Sequence, residues 1–295
     1  MQDIQNYRTA FLGVTAATAN LPTVIVDGND PGLVPGGAAV EALLDNEVAG
    51  GLAPGAKIDY YTSAGSDLTD GLFNAIARAI DDNAVDIINV SFGQCEATLG
   101  NSGNQLVDEL AQQAAAQGIT VTVSAGDAGS AACDNFNTAT SAQGGLAVNG
   151  FASTPYTVAV GGTDFDVLGT SFGTYVASNT GGAIPYYLTA KGYIPEEPWN
   201  DSTTINGSLS QNSAYKDSNG NTNIIAGGGG VSSLYAKPAF QQSVTPADGH
   251  RDLPDVSFFA ANGFYGAMWV LCADPVSEQN SNASSNAPDC QNTGG

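Results

Sequence analysis

"VDIINVSFGQCEATLGNSGNQLVDELAQQAAAQGITVTVSAGD", residues 85–127, holds two strand-like apolar runs, 85–93 and 118–127, on either side of a helix-spaced segment. The helical spacing covers 101–117 and closes on Gly118, a residue suited to the left-handed turn that ends a helix. A strand that leads through a helix into a second strand is the unit of a parallel sheet, because parallel neighbours need a long crossover. The same alternation extends outward. "PTVIVDG" (22–28), "AKIDYYTS" (56–63) and "PYTVAVGGTDF" (155–165) read as further buried strands, and 38–49 and 67–82 carry helical spacing. The predicted fold is therefore α/β, a mostly parallel sheet with helices on both faces.

The remaining texture is different. "MQDIQNYRTAFLG" at the start reads as a short amphipathic helix. Residues 166–250 are rich in Gly, Ser, Asn, Thr and Tyr, and read as long surface loops with short strands packed onto the same sheet. A strand-like run returns at 251–274, and a polar loop follows to Gly295. The chain is read as one domain, 1–295.

Composition narrows the partners. The 295 residues are 42% hydrophobic and 12% charged, a globular balance. Seven basic residues face 29 acidic ones, a formal net charge of −22. Such a chain repels phosphate backbones and anionic lipid, so nucleic-acid and membrane-surface partners are disfavoured. No apolar run approaches the roughly 18 residues that span a bilayer. Near pH 3 to 4 many carboxylates would be protonated and the self-repulsion would fall. Two readings stay open on composition: a merely soluble acidic protein, or one that works in acid.

Cysteine usage adds a compartment. Cys95, Cys133, Cys272 and Cys290 form an even set in a Ser/Thr/Asn-rich chain, which suggests secretion and two disulfides. There is no CxxC pair, and His250 is the only histidine, which argues against a zinc site; no metal ligands are assigned. No signal peptide opens the chain. Targeting information then lies upstream, or the chain is not exported.

In α/β sheets the chemistry sits in loops beyond the carboxyl ends of the strands. "SFGQCE" follows the strand at 85–90, and "SAGDAG" places Asp127 on a tight, glycine-permitted turn. Taken alone, Asp127 is also readable as an ordinary turn former. Glu41 and Asp45 stand four apart in "EALLDNEVAGG", on one face of a helix where like charges repel. Their ordinary reading is a partly solvated helix face. Together the three carboxyl groups lie on elements of one sheet, in a chain without a catalytic His or Cys arrangement.

"EALLDNEVAGGLAPGAKI", "SFGQCE", "AAAQGITVTVSAGDAG", "GLAVNGFASTPYTVAVGGTDF", "IPEEPWND", "AGGGGVSSLYAKPAFQ" and "ADGHRDLPDVSFFAANG", in this order, resemble the sedolisins, the serine-carboxyl peptidases related to subtilisin. The resemblance runs nearly end to end and implies a subtilisin-like fold and peptide cleavage in acid. It implies Glu41 as general base, Asp45 as the acid that orients it and shares its proton, and Asp127 as a protonated donor to the oxyanion. The chemistry is coherent. A carboxylate suits a base that works in acid, and a carboxyl must be neutral to donate. The resemblance also implies a substrate cleft lined by Ser91, Phe92, Gly93, Ser124 and Gly126, the bridges Cys95–Cys133 and Cys272–Cys290, and a peptide or protein substrate.

One part of the pattern does not occur. The nucleophile of the family is the serine of a G-T-S-x-x-x-P block, and no such block stands in residues 1–295. "LGTSFGTY" contains Ser171 but no proline three residues on, so Ser171 is read as a decoy. The expectation is a partial, secreted catalytic domain whose first strand, signal, pro-segment, nucleophile and calcium-binding segment lie outside this chain. Such a chain would be inactive on its own, with no cofactor of its own. The alternative is a non-catalytic, peptidase-like binding or vestigial protein.

Overall fold

A computed structural model of the chain describes residues 1–15, 18–32, 37–65, 70–136, 138–177, 190–202, 224–260, 269–273, 290 and 292–294. In chain order the elements begin with α1 (Gln2–Leu12), β1 (Thr23–Val26), α2 (Gly37–Leu52), β2 (Asp59–Thr62) and α3 (Gly71–Asp82). Next come β3 (Ile87–Val90), α4 (Glu96–Gln117), β4 (Thr120–Ser124), β5 (Thr157–Asp164), α5 (Leu168–Tyr175) and β6 (Glu197–Pro198). The last are β7 (Gly230–Ala236), a 3-10 turn (Ala239–Gln241), β8 (His250–Leu253), β9 (Val256–Phe259), β10 (Trp269–Leu271) and β11 (Asn292–Gly294). The chain divides into two compact units. One comprises Met1–Asp82, Gly173–Tyr193 and Ala267–Gly295, the other Asn83–Phe172 and Ile194–Gly266.

In the first unit β1 and β2 pair in parallel, from Thr23↔Asp59 to Val26↔Thr62. Helix α2 buries Leu43, Asn46, Glu47 and Gly50, a stripe at helical spacing. Its glycines are there for α1. A Cβ on Gly50 would lie 2.2 Å from the Arg8 guanidinium, and one on Gly51 would lie 3.1 Å from the Tyr7 ring. Ile4 and Leu43 close this contact with Ala273. Strands β10 and β11 form an antiparallel pair. The Cys272–Cys290 bridge lies in this unit.

The second unit carries the sheet expected from residues 85–165. β3, β4 and β5 pair in parallel, in the registers Ile87↔Thr120 and Val121↔Thr157. β9 continues the sheet in parallel beyond β5, from Val160↔Val256 to Thr163↔Phe259. Helix α4 buries Asn104, Val107, Ala111 and Ala114, again at helical spacing. The alanines let the helix lie close to β4. Gly118, at φ 83°, ends it as expected.

Three expectations change. Helix α4 starts at Glu96 rather than 101, with an interruption at Gly100 (φ 64°, ψ 179°). Its first residues lack the apolar spacing that marks a helix, so the pattern starts after the kink. The strand at 85–93, read as buried, covers only one face of β3: Ile87 is 65% exposed and Ile88 is 8% exposed. A short apolar run cannot distinguish one covered face from two. Of the loop-rich region 166–250, β6 does join the sheet, antiparallel to β5 at Thr163↔Pro198. β7 and β8 instead pair with each other.

Candidate functional site

Glu41 and Asp45 belong to the first unit, and the other site residues to the second. On α2 the two acids stand one turn apart, both half-buried and both engaged with their surroundings. Tyr60 on β2 feels Asp45: burial first, then that carboxylate's charge, raises its phenol pKa. Glu47, two residues beyond Asp45, is the deeper acid. It is 0% exposed, and the Cys272 amide donates to its Oε2 at 2.9 Å. Desolvation lifts its pKa to about 8, against the opposing pull of that bond. Helix α2 thus carries a third acid besides Glu41 and Asp45, legible in the sequence only by its register with Leu43 and Gly50.

β4 ends at Ser124, and the chain leaves the sheet through Ala125, Gly126 and Asp127. Gly126 has φ +106°, a conformation that needs glycine. The Ala125 amide donates to the Val160 carbonyl at 2.7 Å, the last contact of this turn with β5. Two residues on along the same edge, the Gly162 carbonyl accepts instead from Trp199 at 3.1 Å. β6 thus takes over the edge that β4 vacates.

A second segment buttresses the turn. The Gly228 amide donates to the Gly126 carbonyl at 2.6 Å, and the Ala226 amide to the Asp127 carbonyl at 2.9 Å. A Cβ on Gly228 would fall 2.1 Å from the Ala125 carbonyl oxygen and 2.6 Å from that of Gly126. This accounts for a glycine of "AGGGG": the segment lies directly on the turn. Gly228→Ala is expected to displace backbone that cannot yield, at a cost of about 2–3 kcal/mol. Chemical denaturation checks this, and a change under about 0.5 kcal/mol would contradict the contact.

Between these fixed bonds the Asp127 side chain still reaches solvent, while the surrounding protein raises its pKa by desolvation. The first property lets a ligand meet the carboxyl. The second holds it toward the neutral form.

The loop after β3 approaches the same turn. Phe92 is 42% exposed, and Ser91 accepts from the Asn89 side chain at 3.0 Å. The connection to Ser124 is Asn149, to which the sequence pattern assigns no role. Its Nδ2 donates to the Ser124 carbonyl at 2.7 Å, and its Oδ1 accepts from the amides of Gln94 at 3.2 Å and Phe151 at 3.0 Å. The Cys95–Cys133 bridge ties the end of this loop to the segment after Asp127. Both disulfides implied by the resemblance are present. Ser171 lies at a kink within α5 (φ −131°, ψ 28°).

An acidic cluster lies beside β6. Asp164 and Asp201 are buried, and Trp199 Nε1 donates to Asp201 at 2.7 Å. Desolvation raises Asp164 to about 7 and Asp166 to about 6. Asp166 also shares a hydrogen bond with the Glu197 carboxyl. Asp201 is raised for the same first cause. The cluster adjoins the buttress, since the Asp201 amide donates to the Ile225 carbonyl at 3.0 Å.

A raised folded-state pKa means the native state holds protons that the unfolded chain releases. Stability is then full below about pH 4 and falls as pH rises toward the folded values. A tenfold difference in proton affinity between the folded and unfolded chain corresponds to about 1.4 kcal/mol once the group ionises. Asp164, Asp166 and Glu47 therefore place the loss between about pH 4 and pH 8. The thermal midpoint is expected to drop on the order of 10 °C between pH 4 and pH 7.5. A midpoint as high at pH 7.5 would contradict this assignment.

The subtilase family profile matches residues 22–229. Sedolisin of Pseudomonas sp. (strain 101) is 33% identical over 224 residues, 75% of this chain and 32% of the relative. Xanthomonalisin of Xanthomonas sp. (strain T-22) is 32% identical, over 77% of this chain and 26% of its own length. Kumamolisin of Bacillus sp. (strain MN-32) is 32% identical, over 84% and 38% respectively. The chain thus spans less than two fifths of these curated relatives. The solved structure of Pseudomonas sedolisin, a serine-carboxyl proteinase complexed with two molecules of pseudo-iodotyrostatin, shares 30% identity and superimposes with a TM-score of 0.61. That match covers 90% of this chain and 63% of the other.

Proposed function

The chain belongs to the subtilase family, alongside the sedolisins, and we propose that it supplies the general base, orienting acid and oxyanion donor of a serine-carboxyl peptidase active in acid. The observation that carries the reading is Asp127: an accessible carboxyl desolvated toward neutrality, on a glycine turn fixed by backbone bonds at the end of β4. A neutral carboxyl there donates to the oxygen of a tetrahedral intermediate as its charge develops. Glu41 takes the proton of the nucleophile and returns it to the leaving amine, while Asp45 orients Glu41 and shares its proton. The loop at Ser91, Phe92 and Gly93, with Ser124 and Gly126, receives an extended peptide as an added strand.

The two disulfides support a secreted protein. Among the described residues no helix is long and apolar enough to cross a membrane, and the net charge of −22 disfavours nucleic acid. No cluster of His, Cys, Asp and Glu among the described residues could hold a metal ion. The calcium of the resemblance is expected in a segment outside this chain and enters no step. The pro-segment and the G-T-S-x-x-x-P serine belong to the proposal for the whole protein.

The test is cleavage of an unstructured peptide by the full-length protein between pH 3 and pH 7, with its reading frame determined on both sides of residues 1–295. Acid cleavage by a protein carrying a G-T-S-x-x-x-P serine is the expected result. A full-length protein that cleaves nothing at any of these pH values overturns the reading in favour of a non-catalytic binding protein.

A further inference from the structure

Asn149 is 4% exposed, yet its side chain bonds backbone groups of the proposed cleft and its support. Its Nδ2 holds the carbonyl of Ser124, the last residue of β4 before the Asp127 turn. Its Oδ1 receives the amide of Gln94, directly after Gly93 in the opposite wall, and that of Phe151. Two donors on one side and an acceptor on the other fix the amide orientation. Gly93 is shaped to the same group, since a Cβ there would come within 2.0 Å of the Asn149 amide. The backbone repeats the connection: Gly150 donates to the Gln94 carbonyl at 2.8 Å, and Cys95 pairs with Asn149 in an antiparallel bridge.

We propose that Asn149 is a positioning residue that clamps the 91–94 loop to the 124–127 turn, holding both walls in the register that an extended peptide and the oxyanion donor require. The proposal rests on the peptidase reading. A clamp of this kind acts on rate through geometry, because an ångström of displacement in positioning groups costs on the order of 10²-fold. Removing the side chain strips one carbonyl and two amides of their partner at once, on both walls.

The substitutions separate the clamp from plain packing. Asn149→Ala in the full-length protein is expected to lower kcat/KM on the order of 10²-fold at every pH. Asn149→Asp keeps the acceptor for Gln94 and Phe151 but donates to the Ser124 carbonyl only while protonated. Its kcat/KM relative to wild type is therefore expected to fall as pH rises from 3 to 6. Amide exchange of Gln94 and Ala125, one on each wall, is expected to accelerate tenfold or more in Asn149→Ala.

A packing role alone would lower the melting midpoint, leave kcat/KM within about threefold below that midpoint, and give Asn149→Asp a pH-independent ratio. That result overturns the clamp, and so does unchanged exchange at Gln94 and Ala125. A wild type that cleaves nothing removes the peptidase reading instead, and the exchange comparison then decides whether Asn149 couples the two walls. If Asn149→Ala does not fold, Asn149→Asp at pH 3 restores all the bonds, and its pH-dependent loss carries the test.

Discussion

Glu41→Gln in the full-length protein is expected to abolish peptide cleavage, with kcat reduced on the order of 10⁴-fold or more. Glutamine keeps the size of the side chain and nearly the helix propensity of glutamate, so α2 should form unchanged. What it loses is the ability to accept a proton. A serine hydroxyl without a base is a weak nucleophile, and base and nucleophile act as a unit, so no other group makes up the loss. Glu41 is half-buried on α2 and is not part of the stripe Leu43, Asn46, Glu47 and Gly50 that carries the packing. Circular dichroism and the thermal midpoint should therefore stay at wild-type values while kcat falls. Activity within tenfold of wild type would remove Glu41 from the role of base.

Asp127→Ala has the second largest expected effect. Loss of one oxyanion donor lowers kcat by about 10²–10³ in serine peptidases, with little change in KM, because the donor engages charge that develops only in the transition state. The turn itself should survive, since its bonds to Val160, Ala226 and Gly228 are all made by backbone. The raised pKa adds a pH signature in the wild type. In the proposed role Asp127 donates only while protonated, so its contribution to kcat is expected to be fullest in acid and to fall as pH rises through its folded-state value. Desolvation moves that value upward and widens the acid range over which the donor is present. In Asp127→Ala this contribution to the neutral limb of the kcat profile should vanish. A variant with wild-type kcat at pH 3 would show that the carboxyl does not face the oxyanion.

The acid dependence expected of stability and the one proposed for catalysis would then share one physical origin. Asp127, Asp164, Asp166, Asp201 and Glu47 are all raised first by desolvation. A protein with these groups and a net charge of −22 at pH 7 is held together best where carboxyls are neutral. The cluster near β6 also connects to the Ile225–Gly228 segment that rests on the Asp127 turn. Loosening it at neutral pH would reach the site through backbone bonds.

Local periodicity by itself determined the parallel sheet of β3, β4 and β5, the helix ending at Gly118 and the helix that presents Glu41 and Asp45 one turn apart. These features follow from side chains a few residues apart in sequence, which is the range over which strand and helix periods act. Asp127 was legible for the same reason, because the glycine that sets its turn is its neighbour. The pairing of the four cysteines came from resemblance, since spacing alone leaves several connectivities open.

What only the tertiary structure decided are the long-range contacts. Asn149 joins Gln94 and Ser124 from 55 and 25 residues away, and Gly228 meets Ala125 across a longer stretch of chain. Glu47, the most buried acid of α2, keeps the register of Leu43 and Gly50 in its own helix, but its partner Cys272 lies 225 residues away. An asparagine in "AVNG" and a glycine among four carry no local signal of these roles. Their meaning comes from the backbone groups that folding brings against them, and burial without those partners would cost more than the side chains could return.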